Sequence, residues 1–89
     1  MMPFEKPDTV MIVRQRLLEN ANDVDALFVL AALHARDGQL DQGLTILEQV
    51  LVLNPMYPGA WRFKATLHRI HGQPDAERFA RERAEAVEP

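Results

Sequence analysis

The sequence predicts an all-α fold of antiparallel helix pairs. No stretch sustains the apolar–polar alternation of a half-buried strand, and Ala and Leu outnumber the β-branched residues. Gly and Pro punctuate the chain at helix-length intervals, marking off about five segments. Pro7 opens the first helix, the Asn20-Ala21-Asn22-Asp23 cluster closes it, and Asn22 or Asp23 caps the second. Gly38 stops the second helix. The third runs from about Leu40 to Leu53 and ends at Asn54-Pro55, because proline disfavours helical geometry in the residue before it. Pro58 suits the first turn of a fourth helix that ends at Gly72, and Pro74 opens a fifth that lasts to about Val87. Connections this short force successive helices to lie antiparallel.

Composition narrows the function classes. The 89 residues make one domain, too small to bury a large core. The absence of Cys removes disulfides and thiolate zinc sites. "MMPFEKPD" has no basic stretch leading into an apolar run, and no apolar segment approaches the ~20 residues that span a bilayer, so a soluble, cytoplasmic protein without membrane insertion is expected. Ten bases against thirteen acids leave a formal charge of -3, which argues against a nucleic-acid partner gripped through its phosphates. The charge is uneven. Residues 24–57 carry Arg36 against four acids, whereas 58–89 carry six bases against five acids.

The chain repeats itself. "DALFVLAALHARDGQLDQGLTILEQVLVLNP" (25–55) and "GAWRFKATLHRIHGQPDAERFARERAEAVEP" (59–89) align at an offset of thirty-four residues with nine identities: Ala26/Ala60, Ala31/Ala65, Leu33/Leu67, His34/His68, Gly38/Gly72, Gln39/Gln73, Asp41/Asp75, Glu48/Glu82 and Pro55/Pro89. The shared Gly falls at the inter-helix turn and the shared Pro at the end of the unit, where backbone geometry is most constrained. Helix, Gly turn, helix and terminal Pro at this period resemble the tetratricopeptide repeat family. The resemblance implies a short right-handed superhelix: a tail at 1–6, then a single domain at 7–89 with a leading helix at 7–23, one repeat at 24–57 and a second at 58–89. Leu27 and Trp61 match the large apolar position of the family's first helix, Ala31 and Ala65 the small one, and His34 and His68 the usual aromatic. Gly43 and Glu77 stand where the family prefers Ala, Lys64 where it prefers Leu, and Pro74 replaces an aromatic.

Helical faces separate core from surface. Leu40, Leu44, Ile46, Leu47, Val50, Leu51 and Leu53 cover about half of the third helix and should meet neighbours on both sides. The fifth helix offers a narrower stripe of Ala76, Phe79, Ala80, Ala84 and Val87, suited to the wet end of a stack. On the second helix, Phe28, Ala32 and Ala35 form an apolar strip apart from the Leu30 direction, and something should cover it: a partner, or the N-terminal "MMPF". In the resembling family, first helices line a concave groove that holds a peptide or a helix. The matching positions are Asp25, Phe28, Ala32, Ala35 and Arg36, then Arg62, Thr66, Arg69 and Ile70, giving a groove half apolar and half basic. Its complement is an amphipathic segment with apolar anchors beside acidic groups. Phe28 and Ala32 occupy the places where some members clamp a C-terminal carboxylate with Lys and Asn, so that specificity is not carried over.

Chemistry has little to stand on. His68 and His71 share a face, but no thiolate completes a metal set, and His34 and His68 read as polar-tipped packing residues. The chain has no Ser, and the Gly residues of "GQLDQG" follow no strand, so neither a serine nucleophile nor a phosphate loop is present. Mixed charges in "ERFARERAEAVE" read as a solvated helix with Glu77/Arg81, Arg78/Glu82 and Arg81/Glu85 available as pairs; an RNA-binding reading of its arginines lacks interleaved aromatics. The expected function is that of a non-enzymatic adaptor or small chaperone without a cofactor. Its partner would be a protein or peptide segment; the alternative is a homo-oligomeric scaffold assembling through the same apolar surface.

Overall fold

The computed structural model describes residues 8–88, and these form five helices without a strand: α1 (Thr9–Glu19), α2 (Val24–Arg36), α3 (Leu40–Leu53), α4 (Ala60–Ile70) and α5 (Pro74–Val87). The proposed tail, Pro7 and Pro89 lie outside the described residues. Three-residue connections fold α2 back on α3 and α4 back on α5, and these two pairs hold the most extensive helix contacts. The long axis measures 47 Å against 25 and 22 Å, and the two short axes match the ~21 Å length of a 14-residue helix, so the helices add side by side along the long axis.

Local chemistry explains the boundaries. The Asp8 carboxylate accepts from the Val10 N–H at 2.9 Å and starts α1. Asp23 rather than Asn22 caps α2, accepting from the Ala26 N–H at 3.1 Å. The two Gly turns are built alike. The Gln39 N–H donates to the His34 carbonyl and the Gly38 N–H to Ala35, at 2.9 and 3.0 Å; Gln73 and Gly72 do the same to His68 and Arg69, at 2.9 and 3.1 Å. These paired bonds place the Gly in the left-handed region, at φ 81° for Gly38 and 75° for Gly72. Pro58 is not in the first turn of a helix: α4 begins two residues later, after Gly59 has turned the chain at φ 81°.

The repeated His and Gln act together across each turn. Nδ1 of His34 lies 2.6 Å from Oε1 of Gln39, and Nδ1 of His68 lies 2.7 Å from Oε1 of Gln73. With Oε1 as the acceptor, each half-buried ring carries its proton on Nδ1 and ties the last turn of one helix to the first residue before the next.

The core runs through three helices. Ala31 of α2, Leu47 and Val50 of α3, and Ala60 and Leu67 of α4 are almost entirely buried in one cluster, so α4 lies along the groove between α2 and α3. The α3 stripe is buried at Leu47, Val50 and Leu51, but Leu53 at its end remains 43% exposed. Lys64, at an apolar position of the repeat, buries its stem to 14% exposure and reaches Glu48 of α3 at 2.8 Å, keeping its charge at the surface. At Gly43 the α3 backbone comes close against α2: a Cβ there would stand 3.1 Å from the Ala31 carbonyl oxygen and 3.6 Å from the Ala35 methyl. Gly43→Val should therefore lower stability by roughly 1–3 kcal/mol, a fall of at least several degrees in melting temperature, whereas no loss would mean that the helices have room to part.

Candidate functional site

Two of the three apolar groove positions expected on α2 are engaged inside the fold. The Phe28 ring packs on Tyr57 at a centroid distance of 4.9 Å and on Phe63 of α4 at 5.7 Å. Ala35 faces Gly43 of α3, and Ala32 is half-buried, as Phe28 and Ala35 are. The strip that called for a cover thus receives much of it from this chain's own Tyr57 and α4; the alternative cover, Met1 to Phe4, lies outside the described residues. Asp25 stays at the surface and accepts a 2.6 Å hydrogen bond from the Tyr57 hydroxyl. Arg36 is exposed and leans on Asp37 at 3.4 Å, and Ile70 is exposed near the end of α4.

The basic positions behave differently. Arg62, Thr66 and Arg69 recur on successive turns of α4 and line one open cleft, of about 320 Å³, with Glu77 and Arg81 of α5 opposite and Ala65 and Ala84 as its floor. Three arginines therefore line a cleft with a small apolar floor. Two are partly satisfied: Arg81 stands 3.6 Å from Glu77, and Arg62 donates to the Glu88 carbonyl at 3.1 Å while its Nε lies 3.9 Å from the Glu88 carboxylate. Arg69 has no ion pair among the described residues. The other carboxylate oxygen of Glu88 accepts from the Gly59 N–H at 2.9 Å, so the end of α5 caps the start of α4, where no side chain of the Gly59 cap is available. Arg81, Glu77 and Ala84 were not among the expected site residues. The thirty-four-residue alignment holds their signal, because it sets Arg81 against buried Leu47 and Glu77 against Gly43.

Of the three ion pairs expected along α5, Glu77–Arg81 is formed, while Arg78 turns to Asp75 at 3.1 Å. His71 ends α4 and lies 3.5 Å from Asp41 across the two units. A larger hollow, of about 460 Å³, between the α1–α2 turn and the end of α3 is mainly apolar, lined by Ala21, Leu27, Val52 and Leu53; its one acid, Glu48, is held by Lys64. Among the described residues no group of three potential metal ligands assembles, and no helix is long and apolar enough to cross a membrane.

Comparison with known proteins yields no match: no family model, curated protein or solved structure aligns with this chain.

Electrostatics mark the joints. Asp23 meets Arg16 with both oxygens, at 2.8 and 3.0 Å; this hydrogen-bonded pairing, helped by the Ala26 N–H, holds its carboxyl below the usual carboxylate range and raises Arg16. Burial, and after it the bond to Asp25, pushes the Tyr57 phenol up from 10.0 to about 12. A folded-state value above the unfolded one favours the protonated phenol, so its stabilising contribution is complete below pH 10 and is lost as the pH rises toward 12. Tyr57 is the single tyrosine, so tyrosinate absorbance reads it directly. The native protein should titrate near 12 and the urea-unfolded chain near 10, with Asp25→Asn falling between the two because burial persists. Equal midpoints in native and unfolded chains would place the phenol in open water.

Proposed function

We propose that this chain is a protein-binding module of the tetratricopeptide repeat kind, an adaptor or small chaperone that takes an acidic-apolar segment of a partner protein on its α4 side. One observation carries the reading: Arg62, Arg69 and Arg81 line a single open cleft above Ala65 and Ala84. Cations around a small apolar floor recognise carboxylates that sit beside small or apolar anchors, and at least one of these charges, Arg69, has no ion pair among the described residues. The thirty-four-residue period, the paired Gly turns and the stacking of two helix pairs support membership of that family. A fluorescein-labelled peptide of Leu and Glu at helical spacing serves as the probe. Arg62→Glu combined with Arg69→Glu should weaken its binding at least tenfold while leaving the circular dichroism unchanged; undiminished binding removes the cleft from the function.

Self-assembly is the second reading, favoured by the apolar surface that α1 leaves open, where Met11 is 67% and Leu18 85% exposed. Light scattering over a concentration series tests it. A mass that doubles with concentration and returns to that of a monomer in Leu18→Glu supports a dimer through α1, and a constant monomer mass dismisses it.

A further inference from the structure

Resting on the protein-binding reading above, we infer that the α4–α5 cleft receives one additional helix, laid on that pair as α4 is laid on α2 and α3, and that this helix belongs to a partner protein and bears carboxylates on its docking face. The internal repeat supplies the geometry. In the first unit Ala31, Leu47 and Val50 form the floor and wall of the groove that α4 fills, and all three are fully buried there. Thirty-four residues on stand Ala65, Arg81 and Ala84, and all three line the open cleft. The place is the same and its contents differ: in the first unit it holds a helix, and in the second no segment of the described chain fills it.

The exchanged residues define the occupant. Phe28, which meets the Phe63 ring at 5.7 Å in the filled groove, is replaced by Arg62 in the open one, and buried Leu47 by Arg81. A helix entering in the pose of α4 would bring its Phe63 equivalent toward Arg62, where a carboxylate satisfies the guanidinium and an aromatic ring would leave it desolvated. The floor keeps the small side chains that let helices approach closely, as Ala31 does in the first unit. Charge disfavours a second copy of this chain as the occupant. The seam-facing residues of α4, Ala60 and Leu67, are apolar, and α1, with its open apolar face, carries Arg14 and Arg16 against Glu19. The Glu88 carbonyl and carboxylate already sit beside Arg62, so the incoming carboxylate competes with an acidic residue of the chain's own.

The probe is a labelled synthetic peptide of residues 55–70 carrying Phe63→Glu, titrated against the full chain alongside the unsubstituted peptide. The Phe63→Glu peptide should bind at least tenfold more tightly than the unsubstituted one, gain helicity by circular dichroism on binding, and shift the backbone amides of Ala65, Thr66 and Ala84 in nuclear magnetic resonance spectra. Binding without helix formation, or with shifts confined to residues 25–36, would overturn the docked-helix pose while leaving the charge-dependent binding reading standing. Failure of both this peptide and the Leu/Glu peptide overturns both. A free chain that dimerises, and ceases to do so in Arg81→Glu, overturns the partner helix in favour of a second copy.

Discussion

The fold depends on the seam along which α4 meets the α2–α3 pair. Leu47, Val50, Ala60 and Leu67 lose almost all contact with water there, in one cluster that joins the two helix pairs. Hydrophobic burial is non-directional, so it alone would tolerate sliding of one pair on the other. What gives the seam its register is shape and polar contact together: Phe28 between Tyr57 and Phe63, the Tyr57 hydroxyl on Asp25, and Lys64 on Glu48. The ion pair at the surface adds little energy by itself; with the aromatic contacts it discriminates between one alignment and its neighbours.

Helix approach within a unit follows from the residues at each crossing. The absence of a side chain at Gly43 lets α3 come against the α2 backbone near Ala31. At the corresponding place in the second unit, Glu77 pairs with Arg81 one turn further along α5, and both line the open side of the α4–α5 crossing with charge. One unit is therefore sealed by a third helix while the other ends in a polar cleft. The same backbone motif thus produces an interior in one copy and a surface in the other, and the difference lies in a few side chains of unlike polarity.

Charged side chains also flank the aromatic anchor of the second unit. Arg83 and Lys64 flank the Trp61 ring at 5.5 and 5.0 Å, and Phe79 meets its edge at 6.2 Å, so the single tryptophan is an anchor between α4 and α5. Its indole N–H donates to the Pro55 carbonyl at 3.1 Å, tying the α3–α4 connection to the same anchor. The His residues serve as turn clips and a surface pair, with Gln39, Gln73 and Asp41 as their partners.

Five helices, the Gly turns and the two-unit repeat were legible in the sequence, because each is governed by local backbone energetics: left-handed φ at Gly38 and Gly72, caps at Asp8 and Asp23, and the break before Pro55. The polarity of the candidate site was half legible. Arg62, Thr66 and Arg69 share a face by spacing alone, but Arg81 joins them only because α5 folds back across α4. Phe28 and Ala35 looked uncovered because periodicity describes a helix in isolation. Whether an apolar face is open depends on which neighbour arrives, and Tyr57, Phe63 and Gly43 are the neighbours that arrived. Local sequence determined where the chain turns and which faces are greasy; packing in three dimensions decided which of those faces water still reaches.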